Sequence, residues 1–300
     1  MGPVLAGRRV QTSTMISMTG TRLSINADLH CHSRVSDGVL TPTALAQRAR
    51  EGGVQLWSLT DHDELSGISE AQEACSRFDL AFVPGVEISA TWAKRTVHIV
   101  GLNIDPSNLV LRQGLASVRE GRVARARRIA ERLENMGIQG SFEGALRYAS
   151  NPQLLSRTHF ARYILEQGYC STMQEVFDQY LGEGRAGNVR VDWAKLEDAV
   201  QWIVGAGGRA VIAHPGRYAY DATQADAFFD IFKQLGGEGI EVVTGSHRPE
   251  QFKKYADVAR QYGFLASRGS DFHAPSESHI DLGSLPQLPE GLKPVWHDWV

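Results

Sequence analysis

The chain lacks the marks of several protein classes. Its 300 residues include only three cysteines, Cys31, Cys75 and Cys170, widely spaced and without a C-x-x-C pair. That argues against a disulfide framework or a zinc knuckle and fits a reducing cytoplasm. No apolar run approaches the ~20 residues that span a bilayer, so no membrane association is expected. The net charge of −3 gives no global attraction to nucleic acid, although a local basic patch stays open. Residues 1–22 are polar and irregular, and Arg8 and Arg9 precede no apolar stretch. They read as a flexible N-terminal extension rather than a secretory signal.

What is present is ordinary globular composition, 42% hydrophobic and 22% charged, enough for one large domain or two ordinary ones. The stretch from Asn26 to Gly38 stands out. An apolar, strand-like run carries His30 and His32, which share a face because residues i and i+2 of a strand point the same way. Asp37 follows on the loop with a hard oxygen ligand. Alone, a pair of histidines this close is as often incidental as metal-binding.

The rest of the chain supplies company. Strands are expected at 23–29, 54–60, 80–86, 96–102, 210–213, 239–243 and 264–266. Helices fall between them: Thr41-Pro42 opens the first as N-cap and first helical residue, and Gly52-Gly53 closes it. From about 105 to 188 the pattern is only helical, including one long arginine-rich stretch at 110–136. The alternation predicts a parallel sheet around a helical insertion, with residues 23–104 and 189–300 as the barrel, 105–188 as the insertion, and a Pro-rich tail from Leu282 wrapping the surface. His30, His32, His62, His98, His214 and His273, with Asp37, Glu87 and Asp271, lie on these strands or just after them. Contributions from so many strands favour a closed barrel, whose sites form at one rim, over an open sheet with one switch point. Crowded carboxylates need cations, and imidazole with carboxylate suits manganese, iron or zinc. The donor count exceeds the needs of one ion.

The ordered motifs Asp28-x-His30-x-His32-Ser33, Thr60-Asp61-His62-Asp63, Gly85-Val86-Glu87, His98, Ala213-His214-Pro215 and Gly269-Ser270-Asp271-x-His273 resemble those of the PHP (polymerase and histidinol phosphatase) superfamily, over roughly residues 25–275. The resemblance implies an α/β fold, a distorted (β/α)7 PHP barrel with a helical insertion domain, and a trinuclear metallophosphoesterase site. Carried over residue by residue, His30, His32, Glu87 and Asp271 hold one ion. Glu87 bridges to a second, completed by His98 and His214. Asp37, His62 and His273 hold the third. The implied cofactor is two to three divalent ions, manganese first, with iron(II) and zinc as alternatives. Asp37, His62, Glu87 and Asp271 are assigned to catalysis through those ions. Asp61 and Asp63 either orient ligand histidines or cap the following turn.

Motif order and insertion most resemble the branch of nucleoside 3′,5′-bisphosphate phosphatases and RNase AM-type 5′→3′ exoribonucleases, in which a carboxylate, here Asp37, stands where some relatives place a histidine. Arg157 and His159 resemble the branch's Arg-x-His pair for substrate. Arg119 and Arg122 are further candidates for phosphate, against the plainer reading of a solvated helix face. The implied reaction is metal-assisted hydrolysis of the 3′-phosphoester of a 5′-phosphorylated nucleotide or short RNA. The implied partners are therefore a small nucleotide substrate or short 5′-phosphorylated RNA, with no obligate protein partner evident. The rivals are a histidinol-phosphate phosphatase, a non-catalytic PHP scaffold, and a free-standing DNA-directed PHP exonuclease.

Overall fold

The computed structural model describes residues 25–299; the extension at 1–22 and the start of the first expected strand lie outside the described residues. In chain order the elements are β1 (Ala27–Asp28), α1 (Pro42–Glu51), β2 (Leu56–Leu59), α2 (Ile68–Phe78), β3 (Ala81–Trp92), β4 (Arg95–Leu102), α3 (Leu109–Asn135), α4 (Ser141–Leu146), α5 (Arg157–Glu166), α6 (Met173–Val176), β5 (Ala194–Lys195), α7 (Leu196–Gly205), β6 (Arg209–Ile212), α8 (Ala222–Gln234), β7 (Gly239–Thr244), α9 (Pro249–Tyr262) and β8 (Leu265–Gly269). Thr41 caps α1 as expected, its hydroxyl accepting from the Ala44 amide at 3.1 Å.

The strands form one sheet in the order β1-β2-β3-β4-β6-β7-β8, with short β5 beside β3. Main-chain bonds bring its two ends together. Leu29 N–H donates to Arg268 C=O at 3.0 Å, and beyond the strands Asp271 N–H reaches His30 C=O at 2.8 Å. The result is a nearly closed barrel-shaped sheet.

The expectation of an all-parallel sheet fails at β4, which runs antiparallel to both β3 and β6. Ala93 and Lys94, both at positive φ (47° and 63°), make a two-residue hairpin turn. Such a turn matches the twist of paired antiparallel strands, and a parallel return needs a dozen or more residues. The turn carries none of the usual Asn-Gly or Asp-Gly chemistry, so the sequence did not announce it. β3 consequently runs past the rim to Trp92, and Glu87 and His98 lie within a hairpin wall rather than at strand ends.

Four apolar clusters hold the fold. One packs α7, α8, α9 and the start of α3 on the sheet; another packs α1 and α2 on β2. The helical segment has its own core, in which Ala126, Ile129 and Leu133 of α3 meet Phe160 and Ile164 of α5. The fourth fills the barrel end opposite the histidines. There the tail does more than wrap the surface: Val295 and Trp296 are buried against Ala27, Leu56 and Val211. No helix among the described residues is long and apolar enough to cross a membrane.

Candidate metal centre

The loop after β1 carries the first donors. Gly38 is required there, since a Cβ would lie 2.0 Å from the His32 carbonyl oxygen. The tight 33–38 turn is anchored by the buried Asp61 carboxylate. It accepts from Ser33 N–H (2.8 Å), Ser33 Oγ–H (2.7 Å) and Ser36 Oγ–H (2.6 Å). Asp61 therefore orients the turn that carries Asp37 and does not touch a histidine. Asp63 accepts from Ser89 N–H at 2.7 Å and pairs with Arg122.

The remaining donors arrive from separate elements. His62 follows β2 and bridges to Glu87 on β3. His98 stands opposite Ser89 in the hairpin. His214 follows β6 at φ 28°, and Asp271 follows β8 at φ 55°. Non-glycine residues seldom adopt such angles and do so mainly where the surroundings enforce them.

All nine residues of the expected set meet. Their donor atoms fall into four overlapping groups able to hold an ion: His32, Asp37, His62 and His273; His30, His32 and Asp271; His30, Glu87 and His214; and His62, Glu87 and His98. The Nε2 atoms of His30 and His32 are 3.2 Å apart. His32 Nε2 is 3.2 Å from Asp271 and 3.3 Å from Glu87. Glu87 also lies 2.9 Å from His98 Nδ1 and 3.0 Å from His214 Nε2. Donors about 2.1 Å from one ion, at tetrahedral to octahedral angles, are themselves about 3.0–3.4 Å apart, so these spacings suit divalent ions. Asp37 Oδ1, Glu87 Oε2, Asp271 Oδ1 and the Nδ1 atoms of His32, His62 and His214 are buried without hydrogen-bond partners. Buried polar atoms in that state call for a ligand.

The electrostatics point the same way. Burial alone lowers the pKa of His30, but Glu241, Glu87 and Asp271 overrule it and hold it well above the ordinary histidine value. Against the same burial, Asp271 and Glu87 raise His32 to about 10. Burial, reinforced by Arg217, drops His214 to about 3. Despite burial, the neighbouring histidines hold Asp37 and Glu87 well below the carboxylate range. Protons and divalent cations thus compete for one set of donors.

Beside this centre lies a second cluster, of guanidinium groups. Ser156, the N-cap of α5, donates its hydroxyl to Asp37 Oδ2 at 2.9 Å and joins the helical segment to the metal donors. Arg157 follows it, bonding the Leu181 carbonyl oxygen (3.3 Å) and lying over the Phe177 ring. His159 is buried, accepts from Ser156 N–H at 3.0 Å through Nδ1 and leaves Nε2 without a partner. Burial lowers its pKa to about 4, so the ring is neutral with the proton on Nε2. Arg119 and Arg122, on α3, are spent on the loop after β2 and on β3: Arg119 donates to the Asp63 carbonyl oxygen at 2.6 Å, and Arg122 is buried against the Asp63 carboxylate and Ser89. Burial, then Arg157 and Arg122, lower Arg125 to about 9. Arg125 and Arg157 have no carboxylate partner among the described residues.

Three residues at the site escaped the reading of the sequence. Arg217, three places after His214, pairs with Asp271. Ser156 is a serine before a helix, a pattern too common to point to a metal donor. Glu241, a lone carboxylate in the apolar strand β7, contacts His30 Nδ1 at 2.8 Å; a charge in such a strand was the available signal. Cys31, between the two histidines, packs away from the site in a cluster with Trp57 and Phe272.

Residues 28–245 match the model of the PHP domain. The chain is 50% identical over 273 residues to a 3′,5′-nucleoside bisphosphate phosphatase of Chromobacterium violaceum, covering 91% of this chain and 96% of the relative. It is 43% identical over 285 residues to the 5′-3′ exoribonuclease Rnm of Salmonella typhimurium, covering 94% and 97%. Among solved structures, an amidohydrolase from Chromobacterium violaceum with bound sulfate and no metal superposes with a TM-score of 0.88 at 49% identity, covering 91% of this chain and 95% of that one. A Bifidobacterium adolescentis protein, provisionally described as a metal-dependent phosphoesterase, superposes with a TM-score of 0.75 at 28% identity, covering 90% and 92%.

Proposed function

The chain belongs to the PHP domain family, and from that premise we propose that it is a metal-dependent hydrolase removing the 3′-phosphate of nucleoside 3′,5′-bisphosphates (pAp to AMP and phosphate) and trimming 5′-phosphorylated RNA from its 5′ end. These are one reaction. Cleavage of the 3′-phosphoester releases phosphate when nothing lies beyond it, and a 5′-nucleotide when the phosphate continues into RNA. The relatives described above carry both names, and none is a histidinol-phosphate phosphatase.

One observation carries the reading. Convergent metal donors stand beside guanidinium groups with too little counter-charge. Burial, then Arg217 and Arg122, lower the Arg157 pKa against the pull of Glu183 and Asp37, and Arg125 repels both Arg157 and Arg122. A nucleotide with phosphates at both ends supplies the missing negative charge to each cluster.

We assign His30, His32, Glu87 and Asp271 to one ion, Glu87, His98 and His214 to a second, and Asp37, His62 and His273 to a third, with manganese as the metal in use. Bound ions there supply Lewis-acid activation of water and neutralise charge on the phosphoryl group. The protein's own groups do the rest. Arg157 and Arg125 hold the 5′-phosphate beside the start of α5, where the helix dipole favours an anion. Arg217, at the edge of Asp271, orients the scissile phosphate. Neutral His159 offers its Nε2 proton to a substrate oxygen. Helices of segment 105–188 supply most of these contacts and make it the substrate-recognition unit.

The test compares manganese-supplemented hydrolysis of pAp, 3′-AMP, 5′-phosphorylated and 5′-hydroxyl short RNA, and histidinol phosphate by wild type and Arg157→Ala. Wild type should prefer the 5′-phosphorylated substrates, and the variant should lose that preference with its metal content intact. Equal turnover of pAp and histidinol phosphate, or unchanged pAp kinetics in the variant, would overturn the assignment.

A further inference from the structure

Glu241 is the one carboxylate of β7 and is 1% exposed. Both of its oxygens are used. Oε1 lies 2.8 Å from His30 Nδ1, and Oε2 accepts the backbone N–H of His214 at 2.6 Å. It sits where β7 breaks register: Glu241 pairs with Ser267, but Val243 rather than Val242 pairs with Arg268. The extra residue makes a β-bulge, a device that re-aims side chains beside sites. The bulge is tied a second time to the turn that carries His214. The Val242 carbonyl oxygen lies 3.1 Å from His247 Nδ1, and the other nitrogen of that ring accepts Gly216 N–H at 3.0 Å.

We infer that Glu241 is a positioning residue that sets the ligand geometry of two adjoining ion pockets at once. The inference rests on the metal-centre reading above. An imidazole that offers Nε2 to a cation must carry its proton on Nδ1, and a carboxylate at Nδ1 enforces that tautomer and makes Nε2 more basic. Glu241 does this for His30, which takes part in the groups with His32 and Asp271 and with Glu87 and His214. Through Oε2 the same carboxylate fixes the backbone from which the His214 ring projects, at a φ of 28° that the residue would not choose alone.

Only a carboxylate satisfies both contacts. An amide of the same shape has one accepting oxygen and one donating NH2. With the NH2 toward His30, the ring is driven to the opposite tautomer, and an N–H instead of a lone pair faces Glu87 and Asp271. With the NH2 toward His214, donor meets donor. Either orientation of glutamine breaks one pocket.

The experiment titrates manganese into chelator-treated wild type and Glu241→Gln by calorimetry, alongside the metal-free melting temperature of each. The expected result is a 10–100-fold weaker affinity in the variant, beyond any change in metal-free stability. In parallel, long-range 1H–15N spectra of zinc-loaded wild type report the His30 tautomer without any substitution, and Nδ1–H is expected. Wild-type affinity in Glu241→Gln, a loss of metal-free stability alone, or an Nε2–H tautomer at His30 each overturns the inference. If Glu241→Gln does not fold, the tautomer decides. If wild type itself takes up no manganese, the metal-centre reading has failed rather than the role of Glu241.

Discussion

Arg122→Met separates bracing from substrate binding at the junction of helix and barrel. Arg122 on α3 is 4% exposed and its partner Asp63 is 0% exposed. Its Nε lies 3.1 Å from Asp63 Oδ2, its Nη2 also donates to Ser89 Oγ at 2.9 Å, and its guanidinium lies 4.9 Å from the Trp193 ring centroid. Methionine keeps the aliphatic volume and removes the charge, so a buried carboxylate loses its counter-ion while its bond from Ser89 N–H remains. Breaking one side of a buried pair costs about 3–5 kcal/mol. At about 2–4 °C per kcal/mol for a chain of this size, the melting temperature should fall by roughly 6–20 °C. Urea unfolding of wild type, Arg122→Met, Asp63→Asn and the double variant closes a cycle, and the double variant should recover about 0.5–3 kcal/mol of the summed loss. The recovery is expected because Asp63→Asn leaves a neutral amide, with no charge to strand. Should Arg122→Met unfold within about 0.5 kcal/mol of wild type (the range of a surface change) yet lose pAp hydrolysis, the residue contacts substrate and the bracing argument is refuted.

Two further outcomes follow from the geometry of the centre. A Cβ on Gly269 would lie 2.2 Å from His30 Cβ and 2.7 Å from its backbone nitrogen. Gly269→Ala should therefore displace His30, costing about 1–3 kcal/mol in stability and far more in turnover, since ~1 Å at a reacting centre costs about 100-fold; unchanged kcat on pAp would contradict this. Metal affinity should rise with pH. Against burial, Asp271 and Glu87 hold the His32 pKa at about 10, so a proton occupies the ring at neutral pH and must leave as the ion binds. The logarithm of the manganese association constant should climb by about one per pH unit for each displaced proton below that pKa. A flat profile from calorimetry between about pH 6 and 9 would show that these rings are already unprotonated.

Much of this is legible in the sequence. The donors sit on short motifs whose residue types are few, and most of those motifs close a short apolar run that reads as a strand. His30 and His32 share a face because strand geometry has period two. The N-cap of α1 and the long helix α3 were equally local signals. The hairpin of β3 and β4 was not, because Ala93-Lys94 is not turn chemistry and its positive φ values are imposed by strand pairing. The double use of Glu241 was hidden for a similar reason: its partners are 211 and 27 residues away.

Sequence alone determined which residues would gather, since side-chain chemistry and strand period are properties of the local chain. Tertiary structure decided what each gathered residue faces. It set Arg122 against Asp63 and left Arg157 without a salt bridge among the described residues. It turned Asp61 toward serines, and it placed Glu241 behind both His30 and His214. Those are distances between segments far apart in the chain, and only packing, with the burial that makes an unpaired charge costly, determines them.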